Sequence, residues 1–266
     1  MHRDVLFGIG LVASIAAAAG SAVAADLPVA ARPGAVAPAP PPPPVVPDWV
    51  GFYVGVHGGG GGARTTHDLA FFDTVNTPFS FTRPDSSPSG GIVGFQFGYN
   101  WQWGPAVGGL EIDFSGADIK ETTTFFDPFF TRDLFHRDFK IDELASARGR
   151  LGYVIFPNLL LYGTAGIGFG HTRIDTTAVD VSFPASNAFQ RSEIDEFGWV
   201  AGAGLEWKFW RNWLLRGEWL HYDFGRTNHF DLEPTNITNT GTTFQSVPVT
   251  IRTTVDVGRV ALSYKF

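Results

Sequence analysis

The 266-residue chain contains no cysteine, which removes disulfide frameworks, thiol nucleophiles and thiolate metal sites together. It is also short of charge. Asp, Glu, Lys and Arg make up 17% of it, against about 25% in an ordinary soluble domain. The charge present is acidic on balance, −7 at pH 7, so phosphate-backbone attraction, and with it nucleic acid as a partner, is excluded as a default. Beyond the N-terminus no run of about twenty apolar residues occurs, which excludes a bundle of membrane helices. The seven histidines are scattered and never reach a spacing such as His-x₃-His, so no metal and no cofactor is assigned. Gly58 to Gly62 lack a following Gly-Lys-Ser/Thr, so they do not cradle phosphate; they read as a flexible exit from a strand into a loop. What is abundant is aromatic: 15% of the chain, led by 25 Phe and 8 Trp. That is too many rings for so little charge in a water-soluble protein.

The N-terminus reads as an address. Arg3 is a weak positive n-region, Val5 to Ala19 an apolar core and Ala22-Val23-Ala24 a small-residue cleavage site. Residues 1–24 are therefore expected to be a signal peptide, cut after Ala24 or, nearly as well, after Ala25. Residues 25–48 hold half of the 18 prolines, including the run Pro40 to Pro44. Such a segment stays extended as polyproline II and has no apolar face to bury.

From Trp49 onward the period is two. In residues 91–103, Val93, Phe95, Phe97, Tyr99, Trp101 and Trp103 share one parity, while Gly94, Gln96, Gly98, Asn100 and Gln102 share the other. This alternation describes a strand with one apolar and one polar face. The same pattern predicts strands over 50–59, 107–119, 141–153, 159–170, 197–209, 214–224 and 253–266. About ten to thirteen residues suits a tilted membrane strand better than the five or six usual in globular sheets. Short turns near Pro105, Pro157 and Asn212 alternate with long stretches at 60–89, 120–140, 171–195 and 225–250, and no proline falls inside a predicted strand. The expectation is all-β: an eight-stranded antiparallel transmembrane β-barrel over 49–266, with short periplasmic turns, long extracellular loops and both termini periplasmic. A soluble barrel would have to pack Phe95, Phe97, Trp101, Phe197, Trp199 and Trp207 into an interior that barely holds its own side chains. Turned outward, the same rings meet acyl chains and headgroups.

Four stretches carry a family resemblance: Trp49-Val50-Gly51-Phe52-Tyr53-Val54-Gly55, Arg148-Gly149-Arg150-Leu151-Gly152-Tyr153, Gly202-Ala203-Gly204-Leu205-Glu206-Trp207 and Glu218-Trp219-Leu220-His221-Tyr222-Asp223-Phe224-Gly225. With the terminal Tyr264-Lys265-Phe266, the chain resembles the small porin-like outer-membrane immunogenic proteins of alpha-proteobacteria, which have an OmpA-like eight-stranded barrel. The resemblance implies a Gram-negative outer membrane, contact with its lipid and lipopolysaccharide, and recognition of Tyr264 and Phe266 by the barrel-assembly machinery. The Ala25-Asp26-Leu27-Pro28 start implies attachment to peptidoglycan through Ala25; a simple proline-rich spacer is the alternative.

The polar parity collects Glu111, Asp113, Arg148, Arg150, Glu206, Lys208, Arg216, Glu218, Arg259 and Lys265. Glu111 and Asp113 are expected to face Arg148 and Arg150, and Glu206 and Lys208 to face Arg216 and Glu218. Paired interior carboxylates invite a hydrolase reading, but each has a candidate cationic partner that favours its charged form. An ion-pair network filling the lumen is the expectation. His171 and His221 share the lipid-facing parity, yet no Ser neighbours either at strand spacing, as a lipid hydrolase would require. Phe125, Phe126, Phe129, Phe130, Phe135 and Phe139 are either a contact site or rings packed on each other above the bilayer. The reading is a non-enzymatic envelope barrel; the alternatives are a narrow porin and, more remotely, a lipid-modifying enzyme.

Overall fold

The computed structural model describes residues 48–266 except 73–77, 82–86, 127–132 and 239–240. The expected signal peptide, most of the proline-rich segment, Ala25, Phe129 and Phe130 lie outside the described residues.

The strands are β1 (Gly51–Phe72), β2 (Pro78–Phe81), β3 (Ser89–Trp103), β4 (Ala106–Phe126), β5 (Asp133–Phe156), β6 (Leu159–Asp180), β7 (Asn187–Trp210), β8 (Trp213–Thr238) and β9 (Gly241–Lys265). β2 is a four-residue return that pairs with the end of β1. The other eight follow one another round an antiparallel meander, and β1 pairs with β9 from Tyr53↔Lys265 to Asp68↔Thr250, which closes the barrel. Closure leaves no sheet edge in the lipid, where an unpaired backbone group could find no water. At one end lie two-residue turns, Gly104-Pro105, Pro157-Asn158 and Arg211-Asn212. Gly104 takes φ +59° there, a left-handed conformation that tight hairpins need.

The eight barrel strands run 15 to 26 residues, well beyond the predicted ten to thirteen. The expected loops 120–140, 171–195 and 225–250 are therefore mostly strand, and the β6–β7 connection shrinks to residues 181–186. Gly58 to Gly62 likewise form no loop exit; they sit inside β1, paired with β3 on one side and β9 on the other. Pro78, Pro234 and Pro248 fall inside strands, contrary to expectation. Pro234 adjoins an irregularity in the β8–β9 register, and Pro248 lies past Thr250, the last β9 residue paired with β1. A missing donor is tolerated at a bulge or an open edge.

The physical reason for the extra length is a change of solvent along each strand. On β6 the outward side chains begin with Leu161, Ile167 and Phe169, then become His171, Arg173 and Asp175 without any change of parity. The inward ones run the other way, from Thr164 to Ile174 and Ala178. The lower part of the strand is thus apolar outside, as lipid demands, and the upper part is apolar inside, as water demands. At about 3.3 Å per residue and a tilt near 40°, 22 residues rise roughly 55 Å, some twice the apolar band of about 25 Å. The barrel projects far beyond the bilayer at the end away from the tight turns.

Candidate functional site

The lumen is filled in tiers. At the turn end Trp49 is fully buried and packs with Val107, Leu160, Tyr162 and Leu214. Its backbone N–H donates to Gln102 Oε1 at 2.8 Å. Beside it Lys265 Nζ reaches Asp48 Oδ2 at 3.0 Å and the Val50 carbonyl at 2.7 Å. Partial burial opposes charge on Asp48, but the Lys265 ammonium and the Val50 N–H outweigh it and hold this carboxyl below the usual carboxylate range.

Above the Trp49 tier lies a balanced ionic tier of four arginines and four carboxylates. Arg148 donates to Glu111 at 2.5 Å, to Asp113 at 3.0 Å and to Glu218 at 3.1 Å. Arg216 joins Glu111 at 2.5 Å to Glu206 at 2.7 Å. Arg259 joins Glu218 at 2.8 Å to Asp113 at 2.9 Å, and Arg150 reaches Glu206 at 3.2 Å. Ser146 donates to Asp113. None of these eight charged side chains is more than 2% exposed. Burying that many ions is tolerable because each faces an opposite charge and further hydrogen bonds.

The arrangement departs from the sequence reading in two ways. Arg148 and Arg259 reach across the lumen to strands that are not their neighbours, so the network spans the cross-section instead of lining the wall. Lys208 takes no part: it is half-buried and donates to the Asp48 carbonyl at 3.2 Å. It lies one inward position nearer the turn end than Glu206, below the ionic tier.

Two phenols complete that tier and were missed in the sequence. Tyr53 donates to Glu111 at 2.6 Å and Tyr162 to Glu218 at 2.7 Å, with the Arg150 guanidinium 4.1 Å from the Tyr162 ring centroid. Their inward parity is legible in the sequence, but an aromatic ring carries no sign of an ionic partner. Each ring needs a bare backbone opposite. A Cβ on Gly98 would stand 2.3 Å from the Tyr53 hydroxyl, and one on Gly204 2.4 Å from that of Tyr162. A smaller polar group follows, in which His57 bonds Gln96 and Ser115 at 2.8 Å.

Toward the loop end the interior turns apolar, with Ile119, Ile141, Ile174, Leu220, Phe224, Ile251 and Val257 buried together. Near the top, Phe125 stacks on Phe135 at 5.5 Å and Phe135 meets Phe244 edge-on at 5.9 Å. Of the two readings of this aromatic run, packing accounts for Phe125, Phe135 and the buried Phe139, while Phe126 is exposed. Thr242 links the buried Asp133 and Asp180.

Outside, Val93, Phe95, Leu151, Ile167 and Phe197 form an exposed apolar band, Phe197 at 73%. Phe52, Tyr99, Trp101, Trp207, Phe209, Trp213, Tyr264 and Phe266 gather at its turn-end border. Tyr264 and Phe266 thus point outward at the end of β9. At the opposite border His171 meets Asp195 at 2.8 Å and His221 meets Asp256 at 3.0 Å. Among the described residues no hydroxyl bonds either ring.

A closed antiparallel barrel with an apolar belt, aromatic border and charged interior defines an outer-membrane β-barrel protein. Residues 11–245 match the family model described as outer membrane protein beta-barrel domain, and the chain belongs to that family. It is 31% identical over 258 residues to the 31 kDa outer-membrane immunogenic protein of Brucella melitensis, covering 96% of this chain and 98% of the relative. The 22 kDa outer membrane protein of Rhizobium leguminosarum is 31% identical, with 71% and 72% covered. Among solved structures, the outer membrane protein OprG of Pseudomonas aeruginosa is similar in fold, with a TM-score of 0.48 at 11% identity over 82% of this chain and 97% of that one.

Proposed function

We propose that the protein is a non-enzymatic, non-conducting envelope barrel that displays its loop end outside the cell and keeps its turns and both chain ends in the periplasm. The observation that carries this reading is the filled lumen, whose ionic tier is at most 2% exposed. The same burial keeps substrate from its carboxylates, and among the described residues no hydroxyl bonds the outward His–Asp pairs. Planar-bilayer recording of the purified protein tests it. No resolved unitary current is expected; steady unitary steps would establish the narrow porin instead.

The proline-rich segment precedes Asp48 and Trp49 in sequence, and these two lie at the turn end of the barrel. It serves there as a spacer and, on the family resemblance, as a tether linked to peptidoglycan by the amine of Ala25. Muramidase digestion of sacculi boiled in detergent should release this protein carrying a muropeptide on Ala25. An unmodified N-terminus on all recovered protein reduces the segment to a spacer.

A further inference from the structure

Pairing between β7 and β8 ends at Trp199↔Asp223, although β6 and β7 stay paired to Val179↔Asn187 and β8 and β9 to Thr238↔Gly241. β8 leaves the wall through an irregularity between Asp223 and Arg226, with Gly225 at φ +71°. From Gly198 toward the loop end, β7 therefore pairs with β6 alone among the described residues. A cleft of about 480 Å³ opens where the two strands part, with Gly198 in its lining.

The first inward side chain beyond this break is Glu196, 1% exposed and outside the ionic tier. Ile194 and Val200, inward on either side of it along β7, belong to the apolar cluster. Each carboxylate of the ionic tier faces an arginine; among the described residues no Arg or Lys bonds Glu196. Its surroundings are hydroxyls. Thr172 of β6 donates to Oε2 at 3.1 Å, and Thr253 of β9 stands beside the same carboxyl. Thr65 of β1 is the direct cross-strand partner of Thr253, and both are fully buried. Glu196 Oε1, Thr253 Oγ1 and Thr65 Oγ1 have no hydrogen-bond partner. Buried polar atoms are almost always paired, so three such oxygens facing one interior point call for an occupant. Water would serve the hydroxyls but leave the carboxylate without a countercharge, which is costly in an apolar interior. Carboxylate and hydroxyl oxygens are ligands for a hard cation. With one negative charge in the group, a cation of one positive charge balances it, whereas a divalent ion would leave an excess.

We propose that Glu196 Oε1 and the Thr65 and Thr253 hydroxyl oxygens bind a dehydrated monovalent cation of the sodium class, with Thr172 orienting the carboxylate. The ion ties β7 to β9 and β1 at the height where β8 has left the wall, replacing strand pairing by coordination. It enters from the cleft past Gly198, one inward position from Glu196, where no side chain stands in the way.

The test uses the full chain folded in a non-ionic detergent. Its thermal unfolding is followed by tryptophan fluorescence while sodium chloride replaces N-methylglucamine chloride, a cation too large for the site, at constant ionic strength. The wild-type transition should rise by roughly 3–5 °C for each tenfold of sodium once the site is near saturation. Glu196→Gln, equal in shape but uncharged, should show no such rise. Glu193→Gln, an exposed outward residue of the same strand, should keep it. In Thr253→Val, which removes one ligand, the rise should begin at about tenfold higher sodium. A wild-type transition indifferent to sodium overturns the proposal, leaving water or a proton on Glu196. A rise that persists in Glu196→Gln, or that Glu193→Gln loses equally, places the ion elsewhere and overturns it too. Should Glu196→Gln not fold, Thr253→Val decides, and an unchanged sodium dependence there counts against the site.

Discussion

Arg148 touches three carboxylates, so its removal leaves several buried charges short of a partner. Arg148→Ala is expected to cost about 3–5 kcal/mol, read as loss of the heat-resistant, fast-migrating folded form at a markedly lower temperature. The control is Arg191→Ala. Arg191 is bound by Asp175 at 2.8 and 2.9 Å on the outer face, and the Asp175 carboxylate holds its guanidinium pKa above the ordinary value. Water replaces that exposed partner, so the transition should not move measurably. Trp49→Ala should cost about 3–5 kcal/mol through the turn-end cavity it leaves. It should still give no current in a planar bilayer, since the ionic tier above it stays shut. At this scale parity alone put the eight charges of the ionic tier on the inward face. It could not find which carboxylate each arginine holds, because Arg148 and Arg259 reach across the lumen, and strand order says nothing about reach.

A single strand that serves two solvents makes a prediction about β6. Ile167, outward and 68% exposed, lies in the apolar band, and Thr177 lies outward in the projecting part. Ile167→Arg should cost about 2–4 kcal/mol and Thr177→Arg about none, measured by urea unfolding in lipid vesicles. Equal costs would place both in one solvent. The same change of solvent explains why the strands run longer than apolar-out alternation predicts. Thr, Asp and Arg above the band resemble loop composition when apolar-out alternation is the criterion. Alternation itself never stops on β6; its polarity inverts. On β5 an extra residue at Asp142, where the register with β6 shifts between Ile141 and Glu143, also breaks the parity that a sequence reading follows.

For the whole molecule, an epitope inserted at Ala185, in the 181–186 connection, should be labelled on intact cells, and one at Asn158, in a tight turn, only after permeabilisation. The reverse pattern would invert the topology. An all-antiparallel barrel of eight strands, its lipid-facing rings and the eight charges of its ionic tier were determined by the sequence alone, because a period of two and the solvent on each side leave a strand one workable orientation. The early end of β7–β8 pairing at Trp199↔Asp223 and the order of the interior tiers were decided only by the tertiary structure. They depend on which residues of separate strands stand at equal height, and register between strands and bulges such as that at Asp223–Arg226 set that height.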